Sequence, residues 1–273
     1  MKRIITITFL VFSILNLFSR NDSIKKKEKQ WYYTWGYTRA WYSNTDIHFK
    51  DLSNNYHPET GKNNYYDFTI YNTVAHDRPD FDKIKDVINV TIPQYVFRIG
   101  YYFNKSTGLE LNYDHTKYVV DNYQTVRIKG QISGVYMDKD TILDPVNFLR
   151  FEHTDGANFW MINFVKKFTF INKGKDFSAS LIGKPGLGIV FPRTDVTLFG
   201  ERLNNKWHVA GGIIGAEGGL RLEFLKYCVF EFVGKASFAN YAKSLVLGKG
   251  NGTAQHFLKT AQLTATFGLK FGD

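Results

Sequence analysis

Residues 261–271 read AQLTATFGLKF. Ala261, Leu263, Ala265, Phe267, Leu269 and Phe271 fall on one side of a two-residue period, and Gln262, Thr264, Thr266, Gly268 and Lys270 on the other. That period belongs to an extended strand, whereas a helix repeats every 3.6 residues. One side is apolar along its whole length and the other is polar or small. The segment before it obeys the same rule: Cys228, Phe230, Phe232, Gly234, Ala236 and Phe238 alternate with Val229, Glu231, Val233, Lys235 and Ser237. Before that again, Gly212, Ile214, Ala216, Gly218, Leu220, Leu222 and Phe224 alternate with Gly211, Ile213, Gly215, Glu217, Gly219, Arg221 and Glu223.

Working outward from these three segments predicts eight long strands, at 31–43, 93–103, 108–121, 157–170, 177–191, 208–225, 227–241 and 255–271. Pro185 has no N–H to give a ladder, and it predicts a bulge in the fifth. Strands two and three, four and five, and six and seven are joined by a few residues. The alternate connections, 44–92, 122–156, 192–207 and 242–254, are long. Short turns at one end, long loops at the other, and strands of about ten residues with apolar and polar sides are the pattern of a closed antiparallel up-and-down transmembrane β-barrel. Such a barrel pairs every backbone N–H and C=O within the protein and leaves no edge in hydrocarbon. A soluble sandwich alternates too, with its apolar side inward. Paired aromatics at strand ends (Tyr101, Tyr102 and Phe103; Phe168 and Phe170) favour the membrane.

Composition narrows the classes. The chain of 273 residues has 24 Phe, 17 Tyr and 5 Trp but 6 Pro and 1 Cys, which excludes a disordered, collagen-like or disulfide-stapled protein. Its mean hydropathy of −0.29 excludes a bundle of membrane helices. The net charge of +10 is spread along the chain, with one dense run at Lys25–Lys27 and Lys29, so no nucleic-acid partner is expected. Lys2 and Arg3 precede the mainly apolar stretch 4–18, the layout of a signal peptide. The expected organisation is a signal peptide at 1–19, a charged linker at 20–30 and a barrel domain at 31–273, exported to the outer membrane.

The segments IGYYFNKSTGLELNYDH (99–115) and LTATFGLKF (263–271) resemble the small eight-stranded outer-membrane proteins of Gram-negative bacteria, of the OmpA, OmpX and OmpW type. The resemblance is architectural and extends over about residues 31–273. It implies an address and a fold, with outer-membrane lipids and lipopolysaccharide as surroundings, and no activity.

An eight-stranded interior is filled by side chains. The parity of the strands predicts inward bases Arg98, Lys167, Lys184, Arg221, Lys235 and Lys270, and inward acids Glu110, Asp114, Glu217, Glu223 and Glu231. Near balance of sign predicts an ion-pair network that plugs the barrel, with a narrow channel as the alternative. Arg39 and Arg193, at strand ends, are positioned for lipopolysaccharide phosphates or for snorkelling. The glycines of 211–219 lack the GK[ST] ending of a nucleotide loop and predict close packing of the inner face.

The connections 44–92 and 122–156 are long enough to carry an extracellular ligand site. Within 44–92, the segments around Ile47 and Phe49 and around Phe68 and Ile70 alternate. They predict a hairpin above the bilayer or, alternatively, two further membrane strands that raise the count to ten. Residues 124–137 repeat the pattern. Asp46 with His48, and His76 with Asp77 and Arg78, are the His and carboxylate clusters available to a lipid-modifying hydrolase or transferase. Ser43 and Ser53 are the nearby hydroxyls. His76, Asp77, Asp80 and Asp82 lack the glycine and terminal glutamate of a calcium loop, so neither a metal nor a cofactor is expected. Ala75–Asp80 predicts a charged turn bent by Pro79.

Overall fold

The computed structural model describes residues 29–52, 56–57, 62–63, 65–78, 94–153, 155–246 and 252–272. The expected signal segment 1–19 and all but the last two residues of the linker lie outside them, as do Ser53, Pro79, Asp80 and Asp82. Every regular element among the described residues is a strand.

Eight strands form a closed antiparallel ring: β1 (Gln30–Tyr42), β2 (Tyr95–Tyr102), β3 (Thr107–Asp114), β4 (Phe159–Asn172), β5 (Phe177–Val190), β6 (Gly211–Phe224), β7 (Cys228–Leu245) and β8 (Thr253–Gly272). Each pairs with the next, and β8 returns to β1. Following partners around the ring from Tyr32 passes through Gly100, Glu110, Asn163, Gly186, Gly215, Ser237 and Thr260 and returns to β1 at Tyr42. The offset between Tyr32 and Tyr42 is the shear of the barrel, and it obliges the strands to tilt.

Burial decides which side is inside. On β8, residues 254, 256, 258, 260, 262, 264 and 266 are buried and their neighbours exposed, so Gln262, Thr264 and Thr266 face inward while Leu263, Phe267 and Leu269 face out. The outer surface carries Trp31, Tyr33, Ile99, Leu111, Ile162, Phe164, Leu181, Leu187, Ile214, Phe232 and Phe238, all more than a third exposed. A polar lumen inside an apolar belt is the inverse of a soluble barrel, and water would penalise it. On β1 the belt runs from Trp31 to Trp41, both outward and exposed. Ten residues at about 3.4 Å each, tilted about 40°, span about 26 Å, close to the apolar height of about 25 Å of membrane barrels. Aromatics gather at both limits: Trp31, Tyr101 and Phe103 at the turn end, and Tyr113 with Trp160, ring centroids 4.5 Å apart, at the other.

The ring remains at eight. The strand Thr45–Asp51 continues along the edge of β8 that β1 occupies lower down, after a one-residue slip between the Tyr42–Thr260 and Ile47–His256 pairs. Tyr66–Thr73, Thr125–Ile132 and Val135–Ile142 then add in turn. These strands extend the wall of the barrel above the belt and do not enter the ring, so the hairpin reading holds and the ten-strand alternative does not. The remaining connections form a second sheet in the order Glu201–Asn204, Asp195–Leu198, Leu149–His153, Tyr118–Val120 and Ala75–His76. Ala75 and His76 are thus strand residues where the sequence predicts a turn.

Two further expectations are corrected. The third long strand stops at Asp114, and residues 118–120 leave it for the second sheet. Pro185 sits in unbroken register opposite Ala216, and the irregularity of β4 falls between Thr169 and Ile171. The proline side chain points out into the belt, where its ring displaces no inward contact. Among the glycines, Gly211, Gly215 and Gly219 face inward, where an added Cβ would lie 1.9, 2.7 and 2.1 Å from carbonyl oxygens of β7. Gly212 and Gly218 face outward with room to spare, so close packing of the inner face accounts for the first three.

Candidate functional site

The lumen is built in two layers. Toward the turn end and the middle, inward positions of β2, β3, β5, β6 and β7 carry charges. Arg98 reaches Asp114 at 2.8 Å, Glu217 at 3.2 Å and Glu110 at 3.7 Å. Lys184, fully buried, lies 2.7 Å from Glu110 and 2.6 Å from Glu231. Arg221 bridges Glu223 at 2.8 Å and Glu231 at 2.7 Å, with its guanidinium carbon 4.1 Å above the Tyr32 ring. Lys235 joins Asp114 at 2.5 Å and Glu217 at 3.5 Å, and Lys167 joins Glu223 at 3.1 Å. Lys270 closes the chain on Glu223 from β8. Neutral donors complete it: the Tyr32 hydroxyl and the Asn163 amide donate to Glu110, and the Asn112 amide to Asp114. Partners far apart in sequence meet here because the register sets their height, and each desolvated charge faces an opposite one, without which burial would be prohibitive.

The second layer caps the first. At the long-connection mouth the inward residues turn apolar: Phe159, Met161, Val190, Ile213, Ala239, Tyr241 and Leu258. They form one buried cluster with Ile47, Phe49, Phe68 and Ile70 of the extended wall and with Tyr118, Phe151, Val196 and Leu198 of the second sheet. Phe49 stacks on Phe68 at 5.2 Å and meets Phe151 edge-on at 5.5 Å. The long connections thus fold into a head whose core continues into the barrel mouth.

Within that core sits a pair of histidines. His153 Nε2 lies 3.5 Å from His256 Nε2, and His153 Nδ1 lies 3.1 Å from Thr194 Oγ1. The Tyr241 ring stacks on His153 at 4.9 Å. Burial, then the neighbouring His256 and His208, holds the His153 imidazole well below its usual pKa. Sequence reasoning did not single out this pair, because 103 residues separate its members and neither has a metal-like spacing.

The proposed catalytic residues are brought together in different pairs from those the sequence implies. His48 meets Asp67 at 2.7 Å, not Asp46, whose carboxylate accepts the Asn72 N–H at 2.8 Å. Burial works to raise the Asp67 pKa, but hydrogen bonds from His48 and Lys50 outweigh it and hold the carboxyl below its usual range. His76 pairs with Asp121. Asp77 is buried apart from it, accepting the N–H groups of Ala40 at 2.8 Å and Arg78 at 2.9 Å, and its burial pushes the carboxyl up to about 6. Ser43 gives its backbone N–H to the Lys259 carbonyl. Both histidines stand at the surface with a carboxylate each, an arrangement that orients an imidazole; Ser53 lies outside the described residues. Arg193 is engaged by Asp155 at 2.7 Å and the Asn205 carbonyl at 2.7 Å, and Arg39 lies 5.9 Å from the Trp41 ring. Among the described residues, no group of three or more His, Cys, Asp or Glu is placed to hold a metal ion.

No family model and no curated relative matches the chain. Among solved structures it is similar to the outer membrane protein OprG from Pseudomonas aeruginosa, at 13% identity and a TM-score of 0.40, over 92% of this chain and 100% of that one. It is also similar to the outer membrane protease OmpT from Escherichia coli, at 9% and 0.37 over 93% and 99%. A third is Ail, the attachment invasion locus protein of Yersinia pestis, at 9% and 0.32 over 89% and 99%. At these values the likeness bears on neither activity nor partner, and the fold is read from the chain's own closed ring of eight strands with its apolar exterior.

Proposed function

We propose that the protein is an integral outer-membrane barrel that conducts nothing and serves as a rigid mount for its head, with a structural or surface-recognition role. The observation that carries this is the continuous apolar cluster that closes the mouth above a charge-paired lumen. A pore needs a wetted path, and what supports a sealed one is that paired charges cross the lower layer while apolar side chains cluster over the mouth. In this reading residues 1–19 direct export, the long-connection end faces outward, and the ligand surface is the head formed from 44–92 and 122–156. The paired interior charges Arg98, Glu110, Asp114, Glu217, Arg221, Glu223, Glu231, Lys235 and Lys270 fix the barrel's register and do not move ions.

Two measurements test it. Unboiled protein from the outer-membrane fraction migrates differently in SDS from boiled protein if the barrel is closed and membrane-embedded. In planar bilayers the refolded chain gives no discrete conductance steps. Discrete steps would replace the sealed mount by a narrow channel, and turnover of lipid A or phospholipid that is lost in His48→Ala or His76→Ala would replace it by an enzyme.

A further inference from the structure

The net charge of +10 is unevenly placed. In the lumen acids and bases nearly cancel, as its ion pairs require. In the head they are interleaved: Lys50 with Asp67, Arg127 with Asp138 and Asp140, Arg150 and Arg202 with Asp195. The turn end differs. Among the described residues it carries Lys29, Lys105, Lys166, Lys173, Lys175 and Lys226 against one acid, Asp176. These lysines are distributed around the circumference: before β1, in the β2–β3 turn, on β4, in the β4–β5 turn and in the β6–β7 turn.

Their height is set by their neighbours. Trp31, Tyr101, Phe103, Tyr227 and Phe271 lie at the same end, on or beside the outer face, where aromatic rings mark the headgroup level of a bilayer. Lys166 shares the outward face of β4 with Ile162 and Phe164, and its ammonium donates to Ser106 Oγ at 3.3 Å and Thr107 Oγ1 at 3.2 Å in the adjoining turn. Lys226 Nζ lies 4.7 Å from the Tyr227 ring. Long stems over apolar surface with charged heads at the interface are the snorkelling geometry of lysines at a lipid boundary.

We propose that the turn end is a collar for the headgroups of anionic phospholipids, which it gathers around the barrel in the adjoining leaflet. The collar rests on the membrane reading given above. The chemistry recognised is a phosphate carrying net negative charge. Lysines spread around a rim at headgroup level suit many separate headgroups better than one extended polymer, which would need them on one side.

The test uses the full chain refolded into phosphatidylcholine vesicles containing phosphatidylglycerol, with bromine on the acyl chains of one lipid or the other. Trp31 is kept as the reporter, and Trp35, Trp41, Trp160 and Trp207 are replaced by Phe. At equal mole fraction, brominated phosphatidylglycerol should quench Trp31 as though enriched about fivefold, roughly the value of one lysine at an anionic surface. The preference should vanish in Lys29→Gln/Lys105→Gln/Lys166→Gln/Lys173→Gln/Lys175→Gln/Lys226→Gln, whose heat-modifiable mobility reports that it has folded. Equal quenching by both lipids, or a preference that survives these substitutions, overturns the collar. A preference abolished by inorganic phosphate but not by sodium chloride of equal ionic strength assigns the lysines to a free anion and overturns it too. Quenching by neither lipid would instead strike the membrane reading.

Discussion

Lys184 offers the sharpest test of the lumen. Its ammonium is fully buried between Glu110 and Glu231, at 2.7 and 2.6 Å. Lys184→Met keeps the volume and removes the charge, leaving two carboxylates that face one another without the cation between them. Breaking a buried pair from one side costs about 3–5 kcal/mol. Neither acid is left bare: Glu110 keeps Arg98 at 3.7 Å, the Tyr32 hydroxyl and the Asn163 amide, and Glu231 keeps Arg221 at 2.7 Å. The expected loss therefore sits at the lower limit, about 3 kcal/mol. Adding Glu231→Gln removes one of the stranded charges, so the double variant should be more stable than the sum of the two single losses predicts, with a coupling of about 1–2 kcal/mol. Urea titration of the refolded barrel in vesicles, followed by tryptophan fluorescence and by heat-modifiable mobility, measures all four members of the cycle. A Lys184→Met loss below about 1 kcal/mol, in the range of exposed pairs, or strict additivity with Glu231→Gln, would refute the view that the lumen is held by paired charges.

Other consequences can be measured in the same preparations. The native head holds His153 neutral while the unfolded chain protonates it near its ordinary value of about 6.5, so the unfolded state binds more protons. Head stability is then complete above that pH and falls by about 1.4 kcal/mol for each unit below it. Hydrogen exchange in 149–153 and 195–198, corrected for intrinsic rates, should quicken between pH 7 and 5 and do so less in His153→Phe; equal profiles for the two proteins would contradict this. Gly219→Val should fail to give the heat-modifiable form, because its Cβ would lie 2.1 Å from the Phe232 carbonyl oxygen, while Gly212→Ala, with 3.7 Å of room, should fold like the parent. Proteolysis of intact cells should spare the barrel strands and be slow across 118–153, whose Tyr118, Ile128, Leu143 and Phe151 are buried in the head core; rapid cleavage there would contradict a packed head.

Much of this architecture is legible in single strands. Period-two alternation located all eight ring strands, seven of them to within a few residues at both ends and the third with its end seven residues too far, since each strand carries its own record of two environments. The same parity puts Arg98, Glu110, Glu217 and Lys235 on one side before any pairing is known. Local sequence does not contain the partner. Lys235 meets Asp114 across 121 positions because ring closure fixes their height, and a shift of one residue in any pair would send one of them into lipid. The second sheet was hidden for a related reason: strands of two to five residues, such as Ala75–His76 and Tyr118–Val120, are too short to show a period. They extend because they pair over a shared core.

The sequence by itself thus determined that the chain is a set of alternating strands with short turns at one end and long connections at the other. It also determined which side chains travel together on each face. Only the tertiary structure decided that the polar face is the inner one, that the ring closes at eight, and that the long connections fold back to cap it. The physical reason is that alternation is a property of one strand in any two-sided environment, whereas closure, register and capping are properties of all the strands at once.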